Sequence, residues 1–336
     1  MKFNKTSLQI LSIGLMAILI LSACSSAAPA PKGDLPAIRI GTNQWIGWGA
    51  LYIAQEKGFF AKEGVKVELV PFESNNAGNA AFASKQLDAT TTILSDSVAQ
   101  AAAKIQVQVV WIFDESQGGD VLVGNSAIHS PSELKGKRIG LSYGTFGHIF
   151  VLAGLAKYGI TRDDITIVNV SGEDVPQALA EGKIDAGHTW DPYLANALKN
   201  GSHSIFTSAD TPGIINDVLE FQTYTLQNRP DDVKAIFRAM QDASDYWAAN
   251  PNEANEIVAK VLNVAPGDIP SIRQTVHIFS LAEVQTALDP TASKSLYKTV
   301  QTIGDFFVKE KLINHAPDAQ TLLNGTFAQT LSQKKQ

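Results

Sequence analysis

The sequence predicts an α/β chain of two lobes with a ligand cleft between them. Three observations carry the prediction. Short β-prone runs alternate with helical ones from residue 37 onward, the series restarts near Gly118-Gly119, and after Thr211-Pro212-Gly213 the chain becomes largely helical. At 336 residues, 45% hydrophobic and 18% charged, it is too apolar for disorder and long enough for about two domains.

The first series runs strand 37–41, helix 49–62, strand 65–70, helix 75–85, strand 88–94, helix 96–104 and strand 106–113. Strands separated by helices imply a parallel sheet covered on its faces. The second series has strand 138–141, a helix 147–158 closed by Gly159, strand 164–170, helix 175–181, strand 185–189 and a β run 204–207. In the tail, Asp231 is read as the cap of a helix that puts Val233, Ile236, Phe237, Met240 and Trp247 on one core-facing stripe. Asn250-Pro251 starts another helix, and Gly267-Asp268, Ser280 and Asp289-Pro290 punctuate later ones. A helical tail this long must pack on a sheet, and it is assigned to the first lobe. Lobe 1 is then discontinuous, 37–119 plus 218–336, lobe 2 is 120–217, and two strands cross between them near Asp120 to Gly124 and Val218 to Tyr224.

The N-terminus carries an address. Lys2 and Lys5 precede an uncharged apolar run from Leu8 to Leu21, and no acid appears before Asp34. Residues 1–23 read as a secretion signal. Leu21-Ser22-Ala23-Cys24 resembles a bacterial lipobox, which makes Cys24 the lipidation site, and the small, Pro-rich stretch through residue 36 reads as a tether. The expected location is extracytoplasmic, with the acyl chain on Cys24 as the link to a bacterial membrane.

Several chemistries are excluded. A formal net charge of −6 is the wrong sign for a nucleic-acid binder. A single cysteine forms no internal disulfide or Cys-based metal cage. Neither a Walker loop nor a dinucleotide fingerprint follows the first strand, the six histidines show no HExxH pairing, and no Gly-x-Ser-x-Gly elbow appears. No catalytic residue, metal or cofactor is expected.

Open α/β sheets place ligands at the C-terminal ends of their strands. Trp45 and Trp48 follow the first strand, and Trp45 either lines the cleft or plugs lobe 1. Ser95-Asp96-Ser97 ends a strand and opens a helix, so Asp96 is a helix cap, a ligand contact or both. Tyr143-Gly144-Thr145 joins a strand to a helix N-terminus, which suits either a small oxyanion or a tight turn with a Thr cap. The run from Asp114 to Asp120 is a hinge at the first crossing or a solvated loop. Thr189-Trp190-Asp191-Pro192-Tyr193 combines a stacking surface, a carboxylate and a phenol at a strand end, and ligand contact is the favoured reading for Trp190 and Asp191.

From Ile40 through about Asn250 the chain resembles the substrate-binding proteins of bacterial ABC importers, in the group for nitrate, sulfonates, taurine and thiamine-type pyrimidines. The matching pieces are Ala54-Gln55-Glu56-Lys57-Gly58-Phe59-Phe60 with Glu63-Gly64-Val65, then Leu134-Lys135-Gly136-Lys137-Arg138-Ile139-Gly140, and Thr189-Trp190-Asp191-Pro192. The resemblance implies the type II periplasmic-binding-protein fold, a monomer closing over a small-molecule ligand, and an ABC permease with its ATPase as partners. It implies ligand contacts at Trp45, at Gly144 with Thr145, and at Trp190 with Asp191.

No arginine lies in these strand-end segments, whereas Asp96, Asp114, Asp120 and Asp191 could surround a positive group. Taurine or a related sulfonate is the expected ligand, with its sulfonate on Tyr143-Gly144-Thr145 and its ammonium near Asp191 or Asp114. A flat nitrogen heterocycle such as a thiamine-precursor pyrimidine, stacked on tryptophan, is the alternative. A pyrimidine-synthase-like enzyme is the remote one, and the cysteine-rich motif of those enzymes is absent.

Overall fold

The computed structural model describes residues 35–331. The signal 1–23, Cys24 and nearly all of the tether lie outside the described residues. Among the described residues eleven strands build two sheets. In chain order they are β1 Ile38–Thr42, β2 Val67–Pro71, β3 Ala89–Ile93, β4 Val107–Ser116, β5 Asp120–Gly124, β6 Arg138–Leu141, β7 Thr166–Asn169, β8 Ala186–Trp190, β9 His203–Thr207, β10 Asn216–Gln222 and β11 Val276–Ile278.

One sheet has the order β11-β4-β10-β3-β1-β2, the other β7-β6-β8-β5-β9. In the first, β1 pairs in parallel with β2 and β3, while β10 runs antiparallel between β3 and β4. The second repeats the plan: β6 is parallel to β7 and β8, and β5 is antiparallel to β8 and β9. The reversed strands β5 and β10 therefore bring their N-terminal ends to the edge where their parallel neighbours end, so Asp120 and Asp217 meet the loops after β1, β3, β6 and β8.

The chain passes between the sheets through residues 117–119 and returns through 208–215, immediately ahead of β5 and β10. Gly118 has φ +118°, a conformation open to glycine at little cost. The two passages are tied together: Ser116 Oγ lies 2.8 Å from Ser208 Oγ, and the Gly118 N–H donates to Ser208 Oγ at 2.7 Å.

The helical tail packs on the first sheet through helix Pro230–Ala249, whose Val233, Ile236, Phe237, Met240 and Trp247 are all buried. Phe237 meets the Trp111 ring of β4 at 4.9 Å. Fully burying residues such as Ile236 and Phe237 stabilises the lobe by about 1.5–3 kcal/mol each. Two helix starts differ from expectation. Pro230 takes the first helical position, so Asp231 sits inside the first turn rather than capping it. Helix Leu94–Ala102 begins ahead of the Ser95-Asp96-Ser97 trio, and none of its side chains caps the end. The expected helix 49–62 breaks at Gly58, which is left-handed, into Gly49–Glu56 and Phe59–Lys62. Asn250 before Pro251 and Ser280 with its capping box to Glu283 stand as the sequence suggested.

Candidate functional site

A small cavity sits where the strand ends of both sheets converge. Asn43, Trp45 and Trp48 line it from the loop after β1, Ile93 from β3, Phe146 from the helix after β6, and Trp190 from the end of β8. Asp120, Asp217, Ile215 and Asn75 complete it. The free volume is about 20 Å³, room for one or two water molecules. The lobes touch around it: Tyr193 Oη donates to Gln44 Oε1 at 3.3 Å, and the His148 ring meets Phe306 edge-on at 5.8 Å. Any larger solute therefore requires the two sheets to part and close again.

Acids and aromatic rings dominate the lining, and none of its residues is Lys or Arg. Asp114 lies directly behind. It is fully buried, and Trp45 Nε1 donates to both of its carboxyl oxygens at 3.3 Å. This contact needs Gly47, because a Cβ there would stand 1.7 Å from Asp114 Oδ2. Asp217 is the cross-strand partner of Asp114 in the β10–β4 ladder, and the two carboxyls lie within hydrogen-bonding reach. Asp217 Oδ2 is buried without a donor. Burial pushes Asp114 up to about 7, although hydrogen bonds from Asp217 and Trp45 ease it back. Asp217 rises well above the carboxylate range, first through burial and then through the charge of Asp114.

Asp120 is held differently. His188 Nε2 lies 2.7 Å from Asp120 Oδ1, both side chains are buried, and the imidazole is wedged among Phe146, Phe150 and Trp190 at ring distances of 5.0–5.4 Å. Trp190 is in turn seated over Gly172, where a Cβ would come within 2.0 Å of its ring. Asn43 Oδ1 accepts from Trp48 Nε1 at 2.9 Å, which commits the oxygen and leaves the amide NH2 as the group Asn43 can offer a solute. Asn75 Nδ2 donates to Asp96 Oδ2 at 2.6 Å. Burial pushes Asp96 up to about 7, with Asn75 and then the Phe146 backbone amide as the main groups easing it back.

The residues expected from sequence thus separate. Trp45, Trp48, Asp120 and Trp190 line the cavity, Asp114 backs it, and Asp96 borders it through Asn75. Asp191 faces its own helix, accepting from the Ala195 N–H at 3.3 Å. Tyr143 is 48% exposed and stacks on His148 at 4.7 Å. The Gly144 N–H is directed to His148 Nδ1 at 3.4 Å, and Thr145 Oγ1 donates to the Ser142 carbonyl. These turn bonds consume the donors that an oxyanion would need, and the helix-end amide nearest the cavity, Phe146, is close to Asp96. Asp217, His188, Asn75 and Phe146 were not anticipated. The available signal was two acids, Asp217 and Glu220, inside an otherwise β-prone segment 216–222.

Among the described residues no cluster of His, Cys, Asp and Glu could hold a metal ion, and no helix is long and apolar enough to cross a membrane.

Comparison with known proteins adds an independent line. The family profile "NMT1/THI5 like" matches residues 45–254. A putative aliphatic sulfonates-binding protein of Bacillus subtilis is 25% identical over 318 residues, covering 92% of each chain. The taurine-binding periplasmic protein of Escherichia coli is 26% identical over 77% of this chain and 82% of its own. A shorter match, 34% identical over 41% of this chain and 40% of the relative, is to a 4-amino-5-hydroxymethyl-2-methylpyrimidine phosphate synthase of Uromyces fabae. Among solved structures, the alkanesulfonate-binding protein SsuA from Xanthomonas axonopodis pv. citri superposes with a TM-score of 0.71 at 20% identity, covering 86% of this chain and 99% of that one. At that identity the superposition establishes the shared periplasmic-binding-protein fold.

Proposed function

The chain belongs to the NMT1/THI5-like family, and from that premise we propose that it is an extracytoplasmic solute-binding protein, not an enzyme, that captures a small solute bearing an ammonium group and hands it to an ABC permease. The observation that carries this reading is the acidic, aromatic, arginine-free cavity around Asp217 and Asp120. A lone anion gains little in such a site, whereas an ammonium meets carboxylates and ring faces together. Taurine or a close amino-sulfonate is the first choice, supported by the names of the relatives. Its ammonium goes to Asp217 and Asp120, and its sulfonate to the uncommitted amide NH2 of Asn43 and the second N–H of Asn75 once the lobes part. This differs from a pose with the sulfonate on Tyr143-Gly144-Thr145, whose donors are engaged elsewhere. The protein acts as a monomer anchored through a lipid on Cys24, with the cleft opening and closing as its working motion.

A second reading is kept because four aromatic side chains, Trp45, Trp48, Phe146 and Trp190, meet at the cavity. They suit a flat aminopyrimidine whose ring nitrogens face the same acids. The test is a thermal-shift titration of residues 25–336 with taurine, ethanesulfonate and 4-amino-5-hydroxymethyl-2-methylpyrimidine. Ligand at a hundred times its Kd stabilises the folded state by about 2.7 kcal/mol. A shift with taurine but not ethanesulfonate supports the first reading, and a shift with the pyrimidine alone supports the second. A shift with ethanesulfonate equal to that with taurine removes the role assigned to the acids.

A further inference from the structure

Asp114 never reaches the cavity, yet it is the immediate neighbour of Asp217, which does. Two carboxyls side by side, both buried, cannot both be ionised without an opposing charge. Asp217 Oδ2 has no N–H or O–H donor of its own. The one donor reaching Asp114 from outside the pair is the neutral indole N–H of Trp45.

The other charged groups facing the pair do not relieve it. Asp120, from β5, adds a further negative charge to both members, and Glu115, next to Asp114 on β4, does the same for Asp114. His188, from β8, is spent on Asp120 at 2.7 Å. His277, opposite Glu115 on β11, turns to Glu283 at 2.9 Å. The pair's own charge is left to be balanced by a proton or by a solute.

We propose that Asp114 and Asp217 share one proton across the β4–β10 ladder, and that this pair determines specificity: an ammonium-bearing solute enters by displacing the shared proton. The balance is simple. The apo pair carries one proton and one net negative charge. When the ammonium docks, the proton leaves to solvent, both carboxylates become ionised, and the cation restores the same total charge. Solutes without a cationic group cannot make this exchange, so the pair selects against them. Asp217 contacts the solute, and Asp114 is a positioning residue that sets the charge state of Asp217. The inference rests on the ammonium reading above and adds the proton that is exchanged.

Two measurements on residues 25–336 test it. The first is infrared spectroscopy of the apo protein near pH 6, in which a protonated-carboxyl band must be lost in Asp217→Asn and in Asp114→Asn. The second is calorimetric titration with taurine in two buffers of different ionisation enthalpy. An aliphatic ammonium stays charged through the neutral range, so any proton released comes from the protein. Close to one proton released per taurine at pH 6, falling as pH is raised to 8, is expected, with Kd weakening about tenfold from pH 6.5 to 5.5. Asp217→Asn should bind taurine at least tenfold more weakly and release no proton. Taurine binding without proton release, or no band that responds to either variant, overturns the shared proton while the ammonium reading stands. If neither taurine nor ethanolamine binds while ethanesulfonate does, the ammonium reading falls and the exchange falls with it.

Discussion

Glu220 gives the sharpest test of the buried acids outside the cavity. Its side chain lies fully buried in β10, Oε1 accepts from Gln100 Nε2 at 2.7 Å, and Oε2 has no partner. Burial raises its pKa from 4.5 to about 8, against easing from Ser97 and Gln100. A raised folded-state pKa contributes stability that is fully present below the unfolded value and lost as pH rises through the folded value. Between pH 5 and pH 8 the loss from this residue alone is about 3–4 kcal/mol, since each unit of differential titration is worth about 1.4 kcal/mol. Glu220→Gln keeps the shape and retains the oxygen that accepts from Gln100. The variant should match the parent near pH 5 and exceed its unfolding free energy by about 3 kcal/mol at pH 8. Urea unfolding at the two pH values measures this directly. Parallel pH profiles for parent and variant would refute a neutral, buried Glu220 and the account of this strand built on it.

Gly172→Ala would place a methyl about 2.0 Å from the Trp190 ring, so the indole must shift into the cavity; taurine Kd should rise at least tenfold with an overpacking cost of about 1–3 kcal/mol, read by calorimetry and urea unfolding. Trp45→Phe removes the N–H that Asp114 accepts. Losing a hydrogen bond to a charged group, worth about 1.5–3 kcal/mol, should weaken taurine binding at pH 7 by about tenfold or more, with recovery as pH is raised; a pH-independent loss would mean that Trp45 acts by packing alone. Cys24→Ser should shift the protein from the membrane fraction to the soluble one, and retention on membranes would dismiss the lipid anchor.

Much of the architecture was legible because it depends on local pattern. Alternating β runs and helices announce parallel sheets, and residues at strand ends are forced toward the cleft wherever the strands run. Trp45, Trp48 and Trp190 were therefore within reach of sequence reasoning. The turn 143–145 was not, because whether its donors are free depends on His148 and Ser142, which the fold brings back onto it. Asp191 looks the same in sequence whether it faces a solute or its own helix, and in the fold one of its carboxyl oxygens accepts from the Ala195 amide.

The sequence by itself determined the α/β class, the repeat of the strand plan and the excess of acids over strand-end arginines, since periodicity and composition are properties of the chain. Only the tertiary structure decided that Asp217 stands beside Asp114, that His188 is committed to Asp120, and that Gly47 and Gly172 make room for a carboxyl and an indole. The two strand pairings, Asp217 with Asp114 and His188 with Asp120, join distant residues through antiparallel ladders. Register is set by which faces of two sheets are buried together, a property no local stretch of sequence contains.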